Sequence, residues 1–397
     1  MSTNWQGSER KSRTPISLTD PEPVQEASEQ APAIHVVPDA PAAAAPDSGT
    51  TPVSAPAEVH EPLVRGRRSA EILRKDNVDA ELPATTGWPR LLRILTFGLV
   101  KPKAGKEELA RRADVTAIQR IYSRPMVIMV AQPLGGVGKT MCSVGLSSTF
   151  GIHSTQQTLM WDNNETMGTA GIRTNSNGST NTVWDLLANL EDFERVDARK
   201  GELSYYTRHQ GNNGFSVLVS DEDPDRMKQI GVNEFNRLRT ILSRFYDTLV
   251  LDTGNNTRSE NWLAAIETAD QLVIPTTLKR NAVVSLMRMV EQLESMSERT
   301  GNPRYKDLVD NAVVLITEGA GERGAADERA KLRKSLEETV RAVVDIPYDR
   351  KLDDGSIIDW QLVQEPARRA FERAASVIAA GLLAVDNNHR PTTNHSL

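Results

Sequence analysis

A chain of 397 residues, 39% hydrophobic and 25% charged, is long enough for one large α/β domain with appendages and has the balance of a water-soluble fold. Its formal net charge of -6 works against whole-surface attraction to nucleic acid, though not against a local basic patch, and its one cysteine, Cys142, excludes an internal disulfide framework or a cysteine-rich metal site. No apolar run is long enough to cross a bilayer and the opening MSTNWQGSERK lacks the apolar core of a signal peptide, so cytoplasmic residence is expected.

Residues 1–84 are rich in Pro, Ala, Ser and Glu; stretches such as APAIHVVPDAPAAAAPDSGTTPVSAPAEVHEP hold too few large apolar residues to offset the entropy of ordering. A disordered arm is expected there. Residues 85–124 differ. Gly87 to Lys103 is apolar and basic with no acid, and Trp88, Leu91, Leu92, Leu95 and Leu99 recur at helical spacing with Arg90 and Arg93 on another side. Such a segment suits docking on a protein partner, contact with an anionic membrane surface, or packing as a short helix on its own domain. KEELARRADVTAIQR, residues 106–120, reads as a charged helix leading into the core.

The run Met126 to Ala131 has the length and β-branched content of a buried strand, and it leads into Gly135, Gly136, Val137, Gly138, Lys139 and Thr140. Glycines at this spacing let backbone N–H groups turn inward around phosphate oxygens, and the helix expected over Met141 to Phe150 adds positive potential at its start. Lys139 would neutralise β- and γ-phosphate charge, and Thr140 would hold Mg²⁺ through its hydroxyl, so ATP and Mg²⁺ are the expected cofactors. The common pattern has a further glycine five residues before Gly138; Pro133 stands there.

Gln157 to Trp161 is a second strand, ending in the polar turn Asp162, Asn163, Asn164, Glu165 and Thr166. TNSNGSTN, residues 174–181, is a loop, and Thr182 is a credible cap for a helix begun by Val183-Trp184-Asp185-Leu186-Leu187. Phe215 to Ser220 is a third strand; Asp221, Glu222 and Asp223 then form a solvated acidic turn with weak metal-ligand character. Phe245 to Asp252 is apolar and ends in a carboxylate, the form of a Walker B strand, with Asp252 placed to serve Mg²⁺. Gly254 allows backbone to approach a γ-phosphate, and Asn255 and Asn256 are placed to orient water. Further strands are expected at Gln271 to Pro275, Ala312 to Ile316 and Val343 to Pro347, with helices over Ala282 to Met296 and Pro366 to Val385. Lys279 and Arg280 stand at the entrance of the first of these helices, either solvated or turned to nucleotide or partner. The loop TEGAGERG is a candidate flank for a base, and Phe371, Ala374, Ile378 and Leu382 form a core stripe on the second helix. Strands alternating with helices from about 125 to 385 specify a doubly wound, mostly parallel α/β P-loop domain, with its ligand site at the carboxyl ends of the strands and a polar tail over 386–397.

These motifs, in this order, resemble the ParA/MinD family. GGVGKT resembles its deviant phosphate loop, in which a signature lysine precedes the glycine pair; here that position is Leu134. The resemblance aligns Asp162 with the first acid of the family's D-x-D switch and Asn164 with the second. It implies that these positions orient water and support Mg²⁺, although Asn164 cannot accept a proton and Glu165 is the neighbouring substitute. T-V-W-D-L-L, the A-D-x-x-x-x-P arrangement from Ala269, and Ile346-Pro347-Tyr348-Asp349 are also similar to the family, and the last implies that Pro347 and Asp349 lie beside adenine. Implied together are catalytic roles for Lys139, Asp162, Asn164 and Asp252, nucleotide contacts along Gly135 to Met141, and metal contacts from Thr140 and Asp252. The family's activity implies an ATP-driven homodimer that positions or partitions DNA or a protein cargo. A scaffold or regulator that hydrolyses little, and a small-molecule kinase or amidotransferase-like synthetase on the same fold, are the alternatives. The polar C-terminus lacks the amphipathic tail of MinD proteins, and Trp88 to Lys103 looks like actinobacterial members linked to plasmids, type VII secretion or conjugation.

Overall fold

The computed structural model describes residues 83, 94–97, 99, 103–164, 168–220, 230–319 and 325–389. The expected arm, Trp88 to Arg93, Glu165, Thr166, Asp221 to Asp223, Ala320 to Gly324 and the tail beyond 389 lie outside the described residues.

Eight strands form one sheet in the order β3-β4-β2-β5-β1-β6-β7-β8: β1 (Met126–Val130), β2 (Thr158–Asn163), β3 (Arg208–His209), β4 (Phe215–Leu218), β5 (Thr248–Thr253), β6 (Gln271–Thr276), β7 (Val313–Thr317) and β8 (Ala342–Ile346). All neighbouring pairs are parallel except β3 with β4. Among the described residues eight helices have seven residues or more: α1 (Lys106–Ile118), α2 (Lys139–His153), α3 (Val232–Phe245), α4 (Glu260–Thr268), α5 (Arg280–Thr300), α6 (Arg304–Asp310), α7 (Ala326–Thr339) and α8 (Glu365–His389).

A parallel sheet covered on both faces needs strands that are apolar on both sides. In β1 successive residues point to opposite faces, so Val127 and Met129 join one core layer and Met126, Ile128 and Val130 the other. The first layer packs under α3 to α7 and the second under α1, α2 and α8. β1 lies centrally, between β5 and β6, and the chain leaves it to one side for β2 and later crosses to the other for β6. Loops part at such a reversal, which opens a crevice beyond the carboxyl end of β1.

The structure has every strand expected from the sequence, and β2 and β5 each extend to include the polar residues at their ends. The two-residue antiparallel edge strand β3 was not expected; its Arg208-His209 carries no apolar alternation. Thr182 caps Val183–Ala188 as expected, accepting from Trp184 N while Asp185 accepts from Thr182 N at 2.7 Å. Of the Trp88 to Lys103 segment, the described Ile94, Leu95, Phe97 and Leu99 are 58%, 76%, 96% and 90% exposed. Arg280 is engaged at the surface, 2.9 Å from Glu328.

The stripe on α8 is fully buried, and Phe371 lies so close to α2 that a Cβ on Gly145 would stand 2.5 Å from its ring. α2 therefore rests on an aromatic ring that only a glycine can accommodate. Phe371→Ala should destabilise the domain by about 3–5 kcal/mol through the cavity it leaves. Urea unfolding should show this as a lowered midpoint with an unchanged slope; a loss below about 1 kcal/mol would mean that α8 closes the gap.

Candidate nucleotide and magnesium site

The residues from Ala131 to Thr140 connect β1 to α2 at the sheet's carboxyl edge. Gly136 and Gly138 have φ of 74° and 86°, the left-handed region where a side chain is strained, so both glycines are required by the backbone. A side chain at Gly138 would also stand 3.0 Å from Met141 Cε. From the far strands, Thr317 Oγ1 donates toward Val137 O and Thr276 O at 3.2 Å each, tying the loop to the ends of β6 and β7. Gln132 Nε2 reaches Ala282 O at 3.3 Å. Among the described residues, the N–H groups of Gly135, Gly136, Val137, Gly138, Thr140 and Met141 have no acceptor. Unpaired N–H groups at the start of a fifteen-residue helix form a concave donor set for an anion.

Lys139 Nζ donates to Gln132 O at 3.0 Å, to Leu134 O at 3.3 Å and to Asn255 Oδ1. Asn255 belongs to the loop after β5, so this lysine joins the glycine-rich loop to the loop after β5. Thr140 Oγ1 donates to Asp252 Oδ2 at 2.7 Å and lies 2.7 Å from Thr169 Oγ1; Ser143 Oγ donates to the other oxygen of Asp252 at 3.0 Å.

Parallel register makes Asp162 and Asp252 Cα partners on β2 and β5. Asp162 accepts from Ala170 N at 3.2 Å, Ser220 Oγ at 3.1 Å and Asn164 N at 3.3 Å. Both carboxylates are buried. Burial, and then the charge of Asp252, pushes Asp162 well above the usual carboxylate range. Burial pushes Asp252 up as well, against hydrogen bonds from Thr140 and Ser143 and the charge of Lys139. Gly168 lets the chain close over this pair, since a side chain there would collide with Asp162 and Ser220. Next to them, Asn163 and Asn261 exchange side-chain to backbone hydrogen bonds at 3.2 and 3.0 Å, fixing the end of β2 to the start of α4.

Buried carboxylates held above their usual pKa beside a threonine hydroxyl make a hard, all-oxygen donor set that fits Mg²⁺. Among the described residues no three His, Cys, Asp or Glu side chains gather to hold a metal by themselves. Phosphate oxygens and water would complete the coordination, as is usual for Mg²⁺ at nucleotide sites. Pro347 follows β8 at the same edge, three strands beyond β1. Asp349 is buried and accepts from Lys351 N and Gln364 N at 2.7 Å each, capping the turn Arg350–Asp353. Its carboxylate thus holds chain geometry.

The structure gathers Lys139, Thr140, Asp162, Asn164 and Asp252 around β1, β2 and β5, and sets Pro347 and Asp349 apart. Ser143, Gly168, Thr169, Ser220, Asn261 and Thr317 were missed from sequence. Of these only Ser143 carried a usable signal, lying one helical turn beyond Lys139.

Residues 125–306 match a family model described as an AAA domain. No functionally curated protein matches the sequence. Among solved structures, the ParA family ATPase from Chlorobium tepidum TLS is 16% identical with a TM-score of 0.50, over 64% of this chain and 98% of that one. The cell division ATPase MinD of Pyrococcus furiosus is 17% identical with a TM-score of 0.49, over 64% and 98%. The septum site-determining protein MinD of Pyrococcus horikoshii OT3, complexed with Mg-ADP, is 15% identical with a TM-score of 0.47, over 63% and 94%. At these identities the likeness concerns the fold.

The carboxylate pair sets a pH dependence. A folded-state pKa raised above the unfolded value contributes stability at low pH that is lost as pH rises through the folded pKa, about 7 for Asp162. With chelator present, Asp162→Asn removes this loss. Its melting temperature should pull ahead of wild type as pH rises from 5.5 to 8.5, by the equivalent of about 1–2 kcal/mol. A gap that stays constant across that range in scanning fluorimetry would show that Asp162 is already ionised at the lower end.

Proposed function

We propose that this chain, whose P-loop domain is of the ParA/MinD type, is an ATP- and Mg²⁺-binding switch that hydrolyses slowly and works as a homodimer in positioning DNA or a protein cargo. One observation carries the reading. Lys139, Thr140, Asp162 and Asp252 meet at the carboxyl ends of three adjacent strands, beside N–H groups that have no protein acceptor.

In this reading the N–H groups of Gly135 to Met141 receive phosphate oxygens. Lys139 leaves Asn255 to neutralise β- and γ-phosphate charge, which frees the second switch loop. Thr140 and Asp252 hold Mg²⁺, and Asp162 with Asn164 positions water. The metal ion supplies neutralisation of charge on the phosphate oxygens. Pro347 borders the adenine, with Asp349 holding its turn. Residues 125–385 act as the nucleotide domain, 1–84 as a disordered arm and 386–397 as a polar tail, in the cytoplasm. Within residues 85–124, Gly87 to Lys103 is the docking segment and Lys106–Ile118 the connecting helix; the segment's exposed Ile94, Leu95, Phe97 and Leu99 suit a protein partner, with an anionic membrane as the competing surface.

Slow chemistry follows from two residues. A cation supplied in trans raises phosphoryl transfer by about 10³–10⁵, and Leu134 brings no charge. Asn164 can hydrogen-bond but cannot take a proton. The same two residues favour a second reading, a nucleotide-binding scaffold or regulator with little or no hydrolysis.

Lys139→Ala should abolish measurable ATP binding in calorimetry, since a charge-assisted hydrogen bond contributes on the order of 1.5–3 kcal/mol. Unchanged affinity would sink the phosphate-loop assignment. Wild type should release phosphate well below about 1 s⁻¹, and Leu134→Lys should be faster wherever ATP-dependent dimers form by light scattering. Fast turnover by monomeric wild type would rule out the trans-cation argument. A lysine variant that dimerises yet is no faster would move the cause to Asn164.

A further inference from the structure

α2 begins at the phosphate loop and ends at His153, roughly 22 Å away by helical rise. Its far end borders a cavity of about 340 Å³. Arg111 of α1, Asn212 and Asn213 of the β3–β4 turn, and Arg368 and Arg369 near the start of α8 line it together with the carboxylates of Glu365 and Glu372, over apolar surface from Trp360 and Ile152. α1 and α8 both lie outside residues 125–306, the span of the AAA-domain match.

Two of the three arginines are engaged within the fold. Arg111 forks onto Glu372, Nε to Oε2 and Nη2 to Oε1, each at 3.0 Å, and also reaches Glu365 at 3.5 Å. Arg369 pairs with Glu372 and with Asp114. His153 Nε2 lies 3.3 Å from Glu372 Oε1. Burial would raise the pKa of Glu372, yet hydrogen bonds from His153, Arg369 and Arg111 outweigh it and hold the carboxyl at about 2. The charge of Glu372 is thus fully answered inside the fold.

Arg368 is different. It is half-buried on the cavity wall, and among the described residues its guanidinium meets no acceptor. The side-chain amides of Asn212, Asn213 and Gln361 on the same wall also have no partner there. A guanidinium offers five N–H donors in a fixed fork suited to carboxylate or phosphate. It sits within the first turns of a twenty-five-residue helix, where the backbone dipole also favours negative charge. The three guanidiniums on this wall exceed its two carboxylates, Glu365 and Glu372, and the volume lies at the small end of small-molecule pockets, roughly 300–1,000 Å³.

We propose that this cavity is a second anion site, remote from the phosphate loop, for a small organic anion whose phosphate or carboxylate meets Arg368 while its body lies on Trp360 and Ile152. The site does not depend on the nucleotide reading, because it shares no residue with the phosphate loop.

The test is calorimetry on the full chain with phenyl phosphate, citrate and inorganic phosphate at millimolar concentration. Lys139→Ala is the background, which removes binding at the phosphate loop. Phenyl phosphate should bind more tightly than inorganic phosphate, and adding Arg368→Gln should weaken it at least tenfold. Because the Arg368 side chain makes no hydrogen bond or ion pair among the described residues, that variant should keep the parent's melting temperature. The same tenfold loss should follow Arg368→Gln in the otherwise unchanged chain, which covers the case of a poorly folded alanine variant. Absence of binding by all three probes, or binding indifferent to Arg368→Gln, would overturn the proposal. Inorganic phosphate binding as tightly as phenyl phosphate would overturn the organic body and assign the cavity to a free anion.

Discussion

Two buried carboxylates on adjacent strands set the terms for this domain. Parallel register makes Asp162 and Asp252 neighbours at the spacing of hydrogen-bonded strands, about 4.8 Å. Two full charges that close in a buried site repel by several kcal/mol at an effective dielectric of about 20. The surrounding structure is arranged to offset this. Thr140 and Ser143 donate to Asp252, while Ala170 N, Asn164 N and Ser220 donate to Asp162. These donors come from α2, the turn after β2 and the residues just past β4. The pair receives all of these donors only when the three elements are in place. What remains unanswered is the second unit of negative charge, and a divalent cation is the natural group to answer it.

The position of α2 follows from the same requirement. Thr140 and Ser143 reach Asp252 only if the helix lies close over β5, and Gly145 makes this possible by admitting Phe371 against the helix backbone. On the loop side Thr317 holds Val137 O. The helix is thus held between α8 on one side and the end of β7 on the other.

Most of the fold was legible because it rests on local signals. Buried parallel strands such as Met126 to Val130 are short apolar runs, and Gly136, Gly138 and Lys139 stand in an unbroken motif. Asp252 was legible as an acid ending such a run. The residues that escaped are those whose roles depend on register or on distance along the chain. Thr317 reaches Val137 across 180 residues, and Asn261 meets Asn163 across 98. Nothing local distinguishes either from an ordinary surface polar residue. At Asp349 the I-P-x-D pattern was visible, but the sequence could not reveal that its carboxylate accepts two backbone N–H groups. The exposure of Phe97 and Leu99 was equally hidden, since an amphipathic pattern reads the same whether or not anything covers it.

Leu134 separates two properties that the family's lysine joins. Its carbonyl still accepts from Lys139 Nζ, so the main-chain path of the loop does not need a charged side chain at that position. Every group that would grip a nucleotide is local: the N–H groups of the loop, Lys139, and the Thr140–Asp252 pair. On the proposed reading, the missing charge would therefore bear on the rate of chemistry more than on binding. The contact from Lys139 to Asn255 ties the loop after β1 to the loop after β5. That second loop is in turn anchored to α5, where Thr257 is hydrogen-bonded to Gln292 at 3.0 Å. A continuous path of side-chain contacts and short chain segments therefore runs from the glycine-rich loop to an outer helix.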